Sequence, residues 1–108
     1  MKIELTSINN EDCLKFIFDE DLKKEETEKI INEWLSLLNT EEKINYIWDC
    51  SIMKTYDKES LTIWQKILKE HEQYIDTIFL KTDSKSVKIG AKILNTFVKF
   101  KLKIVKNI

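Results

Sequence analysis

Stretches whose apolar residues recur at the 3/4 spacing of a helix alternate along this chain with short runs of strand period, and that switching of period confines it to the α/β class. Residues 2–7 alternate, with Ile3 and Leu5 on one face, and Leu14, Phe16 and Phe18 alternate again after the turn-forming cluster Asn9-Asn10-Glu11-Asp12, which predicts a pair of strands. From Asp21 to Asn39 the apolar residues Ile30, Ile31, Trp34, Leu35, Leu37 and Leu38 predict a first helix, with acids gathered in its opening turns as the macrodipole favours. Ile44-Asn45-Tyr46-Ile47-Trp48-Asp49 is a short apolar run stopped by a carboxylate, the form of a central strand covered on both faces. A loop from Cys50 to Tyr56 leads to Asp57, a helix cap, after which Leu61, Trp64, Ile67, Leu68 and His71 mark one face of a second helix. Ile75, Ile78, Phe79 and Leu80 predict another buried strand. Asp83-Ser84 opens a third helix with Val87, Ala91, Leu94, Phe97 and Val98 on its stripe. The run from Lys101 to Lys106 alternates Lys with Leu102 and Ile104, which suits an edge strand whose charges discourage pairing with other chains.

The order β-β-α-β-α-β-α-β contains three crossover units and predicts a mixed, mainly parallel sheet of about five strands with three main helices. Trp48 is expected in the sheet core, with Leu61, Trp64 and Leu68 facing it from the second helix. There is no proline and one glycine, Gly90, so no linker or Gly-rich loop divides the 108 residues, and residues 1–108 are expected to form one domain.

Charge narrows the function. All 18 basic residues are lysine, and a chain without arginine lacks the planar fork that reads phosphate and guanine edges bidentately, which argues against sequence-specific nucleic-acid binding. The net charge of −1 conceals a polarised chain: residues 84–108 carry seven lysines and no acid, for +7, while residues 1–83 hold the other lysines and all 19 acids, for −8. No window approaches the roughly 18 apolar residues of a membrane span, and Met1-Lys2-Ile3-Glu4 lacks the apolar run of a signal peptide, so a cytoplasmic protein is expected.

Cys13 and Cys50 lie far apart and share the chain with a single histidine, so zinc-ligand spacings are absent and both thiols are expected to be small buried side chains. There is no P-loop, no G-x-S-x-G and no H-E-x-x-H. Glu25, Glu26, Glu28 and Glu33 read as a solvated helix face, and His71 as a packing residue near a helix end. Neither enzyme activity nor a metal or cofactor is expected.

The order of elements, the strand ending in Tyr46-Ile47-Trp48-Asp49, and the following Cys50-Ser51-Ile52-Met53 through Tyr56-Asp57-Lys58-Glu59-Ser60-Leu61 together resemble the STAS domain, named from sulphate transporters and anti-sigma factor antagonists. The likeness spans nearly the whole chain. In that family a strand ends in Asp, and after a short loop Asp-Ser-Ser/Thr-Gly-Leu starts the next helix and carries the hydroxyl phosphorylated by a partner kinase. Aligned on Leu61, the family's Asp falls on Asp57, its first Ser on Lys58, its phosphorylated residue on Glu59 and its Gly on Ser60. The switchable hydroxyl is therefore missing at this register, although a slip of one residue offers Ser60 as a phosphosite. Glu59 reads either as a fixed partial phosphate mimic or simply as an acid complementing the helix dipole.

The resemblance implies a bacterial module for transcription regulation or signalling that binds an anti-sigma factor or a related STAS-domain protein. The contacts would come from Ser51, Met53, Tyr56, Asp57, Lys58, Glu59 and Ser60, with Met53 and Tyr56 as the apolar centre and the charged residues as the rim. An alternative of a different class is that the lysine-rich C-terminal segment binds an anionic ligand or membrane surface.

Overall fold

The computed structural model describes residues 1–38 and 42–107. Its elements are β1 (Lys2–Ile8), β2 (Glu11–Ile17), α1 (Lys24–Leu37), β3 (Ile44–Asp49), α2 (Lys58–Glu70), β4 (Ile75–Lys81), α3 (Lys85–Phe97) and β5 (Lys101–Val105), with a short 3₁₀ turn at Glu72–Tyr74 before β4. This is the alternating α/β order predicted from periodicity, with five strands and three main helices. The sheet runs β1-β2-β3-β4-β5 in space, β1 antiparallel to β2 and every later pair parallel.

Asn9 and Asn10 both take positive φ, 52° and 69°, the left-handed pair that a two-residue hairpin needs and that asparagine tolerates better than most side chains. The turn is therefore only Asn9-Asn10, and Glu11 and Asp12 already belong to β2.

Each parallel crossover steps one strand further in the same direction, and with the usual right-handed connection that places α1, α2 and α3 on one face of the sheet. The core agrees: Ile30, Trp34, Trp64, Leu68, Val87 and Leu94 from the helices form one buried cluster with Leu14, Phe16, Tyr46, Trp48, Leu80 and Leu102 from the strands. The alternate residues Glu4, Lys15, Ile47, Phe79 and Lys103 form a row across the opposite face. The expectation that β3 has both faces covered is thus corrected, because helices cover one face only. Ile47 is nonetheless buried between its row neighbours Lys15 and Phe79.

Other departures follow from where helical cover ends. Leu5 pairs with Leu14 but lies on the outermost strand and is 71% exposed. On α1 the buried stripe is Thr27, Ile30, Ile31 and Trp34, at i, i+3, i+4 and i+7, which leaves Leu35 and Leu37 exposed. Helix α1 starts at Lys24 rather than Asp21, and its predicted end at Asn39 lies outside the described residues. Phe97, expected in the core, is the last residue of α3 and is 53% exposed, while Val98 already has extended backbone.

The centre of the core is aromatic. Trp48 and Trp64 have ring centroids 4.7 Å apart, and Phe16 packs against Trp34, Tyr46 and Trp48. The Trp34 indole N–H donates to the Tyr46 hydroxyl at 3.0 Å. His71 closes α2, its Nδ1 2.9 Å from the Ile67 carbonyl and its ring against Trp34. Cys13 and Cys50 are buried free thiols, and burial first, then the adjacent Asp12 or Asp49, pushes both above the ordinary thiol range.

Candidate functional site

The loop after β3 is held at several separate points. The Asp49 carboxylate accepts from both the N–H and the hydroxyl of Ser51, and the Cys50 N–H donates to the Lys81 carbonyl. Burial raises the Asp49 pKa, but the Ser51 bonds and the nearby Lys15 and Lys81 outweigh it, so the carboxyl stays below its ordinary range. Further along, one Asp21 oxygen accepts from the N–H groups of Lys54 and Thr55, at 3.0 and 3.2 Å, and the Ser84 hydroxyl donates to the Lys54 carbonyl at 2.7 Å. Leu22 and Tyr56 form a parallel bridge, in which the Leu22 N–H donates to the Thr55 carbonyl and the Asp57 N–H to the Leu22 carbonyl.

Asp57 then serves two helices at once. Its Oδ1 accepts from the Ser60 N–H at 2.7 Å, capping α2, and its Oδ2 accepts from the Lys24 N–H at 3.0 Å, in the first turn of α1. The residue preceding α1, Lys23, makes no side-chain cap, so Asp57 supplies across space an acceptor that the local sequence lacks. The Ser60 side chain and N–H, with the Lys24 N–H and the nearby Lys23, hold the Asp57 carboxyl below the usual carboxylate range.

The seven residues singled out from sequence divide into two sets. Ser51, Lys58 and Glu59 are exposed, and Asp57 and Tyr56 are half-buried. Met53 is buried, and Ser60 is fully buried, its hydroxyl accepting from that of Thr27 at 2.8 Å and lying 3.5 Å from the Leu22 carbonyl. A partner docking on the folded surface would not reach the Ser60 hydroxyl. The place expected for Met53 as an exposed apolar contact is occupied by Ile52, which sequence reasoning passed over and which is 61% exposed. Glu59 projects from the first turn of α2, 3.8 Å from the Lys24 ammonium.

Tyr56 lies across α3 at Gly90, where a Cβ would stand only 2.7 Å from its hydroxyl oxygen, so the absence of a side chain at Gly90 creates the seat for the ring. Beneath it is a half-open apolar cavity of about 40 Å³, lined in part by Trp48, Cys50, Met53, Tyr56 and Trp64. The indole N–H groups of Trp48 and Trp64 are buried without an acceptor among the described residues.

The side chains of Asp21, Asp49, Asp57 and Ser84 are engaged in holding backbone, and no three His, Cys, Asp or Glu side chains are grouped as metal ligands among the described residues. No helix among them is long and apolar enough to cross a membrane.

The architecture is a SpoIIAA-like α/β fold, the fold of STAS domains and anti-sigma factor antagonists. The chain is similar to the crystal structure of an uncharacterised protein from the DUF3478 family with a SpoIIAA-like fold, from Shewanella loihica PV-4. The TM-score is 0.80 and the sequence identity 14%, over 98% of this chain and 86% of the other. At that identity the likeness is one of fold. No protein-family model matches the chain, and no curated protein matches it in sequence.

Proposed function

We propose that this protein is a non-enzymatic interaction module that binds a regulatory protein through the loop after β3 and the start of α2. The observation that carries this reading is the pinning of the loop by Asp21, Leu22 and Ser84, while Ser51, Ile52, Lys58 and Glu59 on that loop and the helix start it leads into stay exposed. An apolar side chain on a held backbone loses little freedom on docking, and an apolar centre with a charged rim is the usual anatomy of an interface. The SpoIIAA-like fold supports a partner of the kind that anti-sigma factor antagonists engage, an anti-sigma factor or a related STAS-like domain.

In this proposal the surface works without a serine switch. Glu59 puts a permanent carboxylate in the first turn of α2, with less charge and fewer acceptors than a phosphate, and the hydroxyl of Ser60 is enclosed. The test is affinity capture from the source cell with the wild-type protein beside Ile52→Asp and Glu59→Lys. A partner retained by wild type and lost with both variants supports the surface. A partner captured equally by all three places the interface elsewhere.

A further inference from the structure

Helix α3 carries a second apolar line besides the one it buries. Ile89 and Phe97 are 58% and 53% exposed, and with half-buried Ile93 between them they stand at i, i+4 and i+8, a ridge along the outer side of the helix. Lys85 and Lys92 are exposed beside this ridge and Lys88 is half-buried. No acidic residue follows Asp83 in the chain, and among the described residues the side-chain ion pairs involve Lys2, Lys24 and Lys69 but no lysine of α3.

The first turn of α3 differs from those of the other two helices in carrying no acid. All three helices begin with a lysine, Lys24, Lys58 and Lys85, but α1 follows it with Glu25 and Glu26 and α2 with Glu59, whereas α3 has no acid in its first turn and only Asp83 ahead of its Ser84 cap. The charge of Lys85, one turn from Ile89, is thus not offset by an acid within its own turn. The overall net charge of −1 does not predict such a concentration.

We infer that the outer face of α3 docks the protein peripherally on an anionic lipid bilayer. A convex ridge of single apolar side chains suits insertion between lipid headgroups, where an interfacial helix buries its apolar side and keeps lysines at the anionic surface. Lysine rather than arginine fits the same partner, because a fluid headgroup layer needs compact point charges and offers no fixed carboxylate geometry for a guanidinium fork. This surface shares no residue with the loop of the proposed protein-binding site.

The test is flotation of the full chain with phosphatidylcholine vesicles, with and without about 30% phosphatidylserine. Each lysine near an anionic leaflet strengthens binding about fivefold, so Lys85→Gln with Lys92→Gln should weaken association with the phosphatidylserine vesicles by roughly 25-fold. Raised salt should weaken it too, and Ile89→Ser with Phe97→Ser should reduce it severalfold at unchanged far-UV circular dichroism. Ile52→Asp should leave vesicle binding intact even where it abolishes protein capture. Equal partition onto both vesicle types, indifference to the α3 substitutions, or soluble polyglutamate bound as tightly as vesicles and unaffected by Phe97→Ser would overturn the inference, the last by making the face a site for acidic protein.

Discussion

The hydroxyl of Thr27 donates to that of Ser60 at 2.8 Å, joining α1 to α2 where both side chains are completely buried. Replacing Ser60 by Ala removes the acceptor and leaves the Thr27 donor enclosed, a defect that costs about 1–3 kcal/mol. Urea unfolding should show this loss for Ser60→Ala. The double variant Ser60→Ala with Thr27→Val, which removes both polar groups, should recover part of it.

The same enclosure has a covalent consequence. A phosphate on Ser60 would need the start of α2 to open, so mass spectrometry of the native protein should find Ser60 unmodified. Ser60→Asp should unfold at lower denaturant than Ser60→Ala, because it buries a charge as well as losing the bond. Stoichiometric phosphate on Ser60 of a folded, partner-binding protein would restore the usual switch and defeat the constitutive surface proposed above.

Asp57 should cost more to replace than an ordinary helix cap. A single cap is worth about 1 kcal/mol, and Asp57→Ala orphans backbone donors on two helices, so a loss approaching 2 kcal/mol is expected. Its folded pKa lies below the unfolded value, so its contribution is complete above the unfolded pKa, near pH 4, and fades as pH falls through the folded value. Denaturant midpoints measured from pH 6 to pH 2 should therefore fall less steeply for Asp57→Asn than for the wild type.

Glu59 separates mimicry from capping. If it only complements the α2 dipole, Glu59→Gln lowers stability by about 0.3–1 kcal/mol and leaves partner binding unchanged. If it stands in for a phosphate, Glu59→Ser should bind the captured partner differently from wild type, and phosphorylation of that serine should return the wild-type behaviour. Calorimetric titration with the captured partner decides between them.

Gly90 and Tyr56 form a coupled pair. In a helix interior Gly→Ala gains about 1 kcal/mol, but at Gly90 the new Cβ would drive the Tyr56 ring from its seat. Gly90→Ala should thus give little or no gain in the wild-type background and nearly the full gain in Tyr56→Ala, a coupling that a double-mutant cycle on thermal unfolding measures directly.

What was legible in the sequence was what local physics decides. The asparagine pair at the first turn, the caps at Asp57 and Ser84, and the stripes through Trp34, Trp64 and Leu94 all have short-range signatures, and together they yield the order of elements. Long-range contacts were not legible. Lys23 carries no capping oxygen, so nothing nearby marks the start of α1, and the acceptor arrives from Asp57 in a different element. Asp21 looked like part of a helix, yet it holds the backbone of Lys54 and Thr55. Leu5 and Phe97 look like core residues to any periodicity argument, and only the extent of helical cover over a one-sided sheet leaves them outside. At the site, sequence placed the loop and the helix start correctly but could not tell which side chains of Ile52-Met53 and Glu59-Ser60 turn inward, since neighbouring residues there obey no regular period.

The strand order in space repeats the strand order in the chain, and this has a temporal meaning. Each strand after the first hairpin adds to the edge left by its predecessor, and none has to be threaded between two already in place. During synthesis the sheet can therefore grow in one direction as the polypeptide leaves the ribosome, each helix closing over the strand pair just completed. β5 arrives last and brings its lysines to the margin at which growth stops, so the growing edge ends in a charged stop against a further strand from another chain.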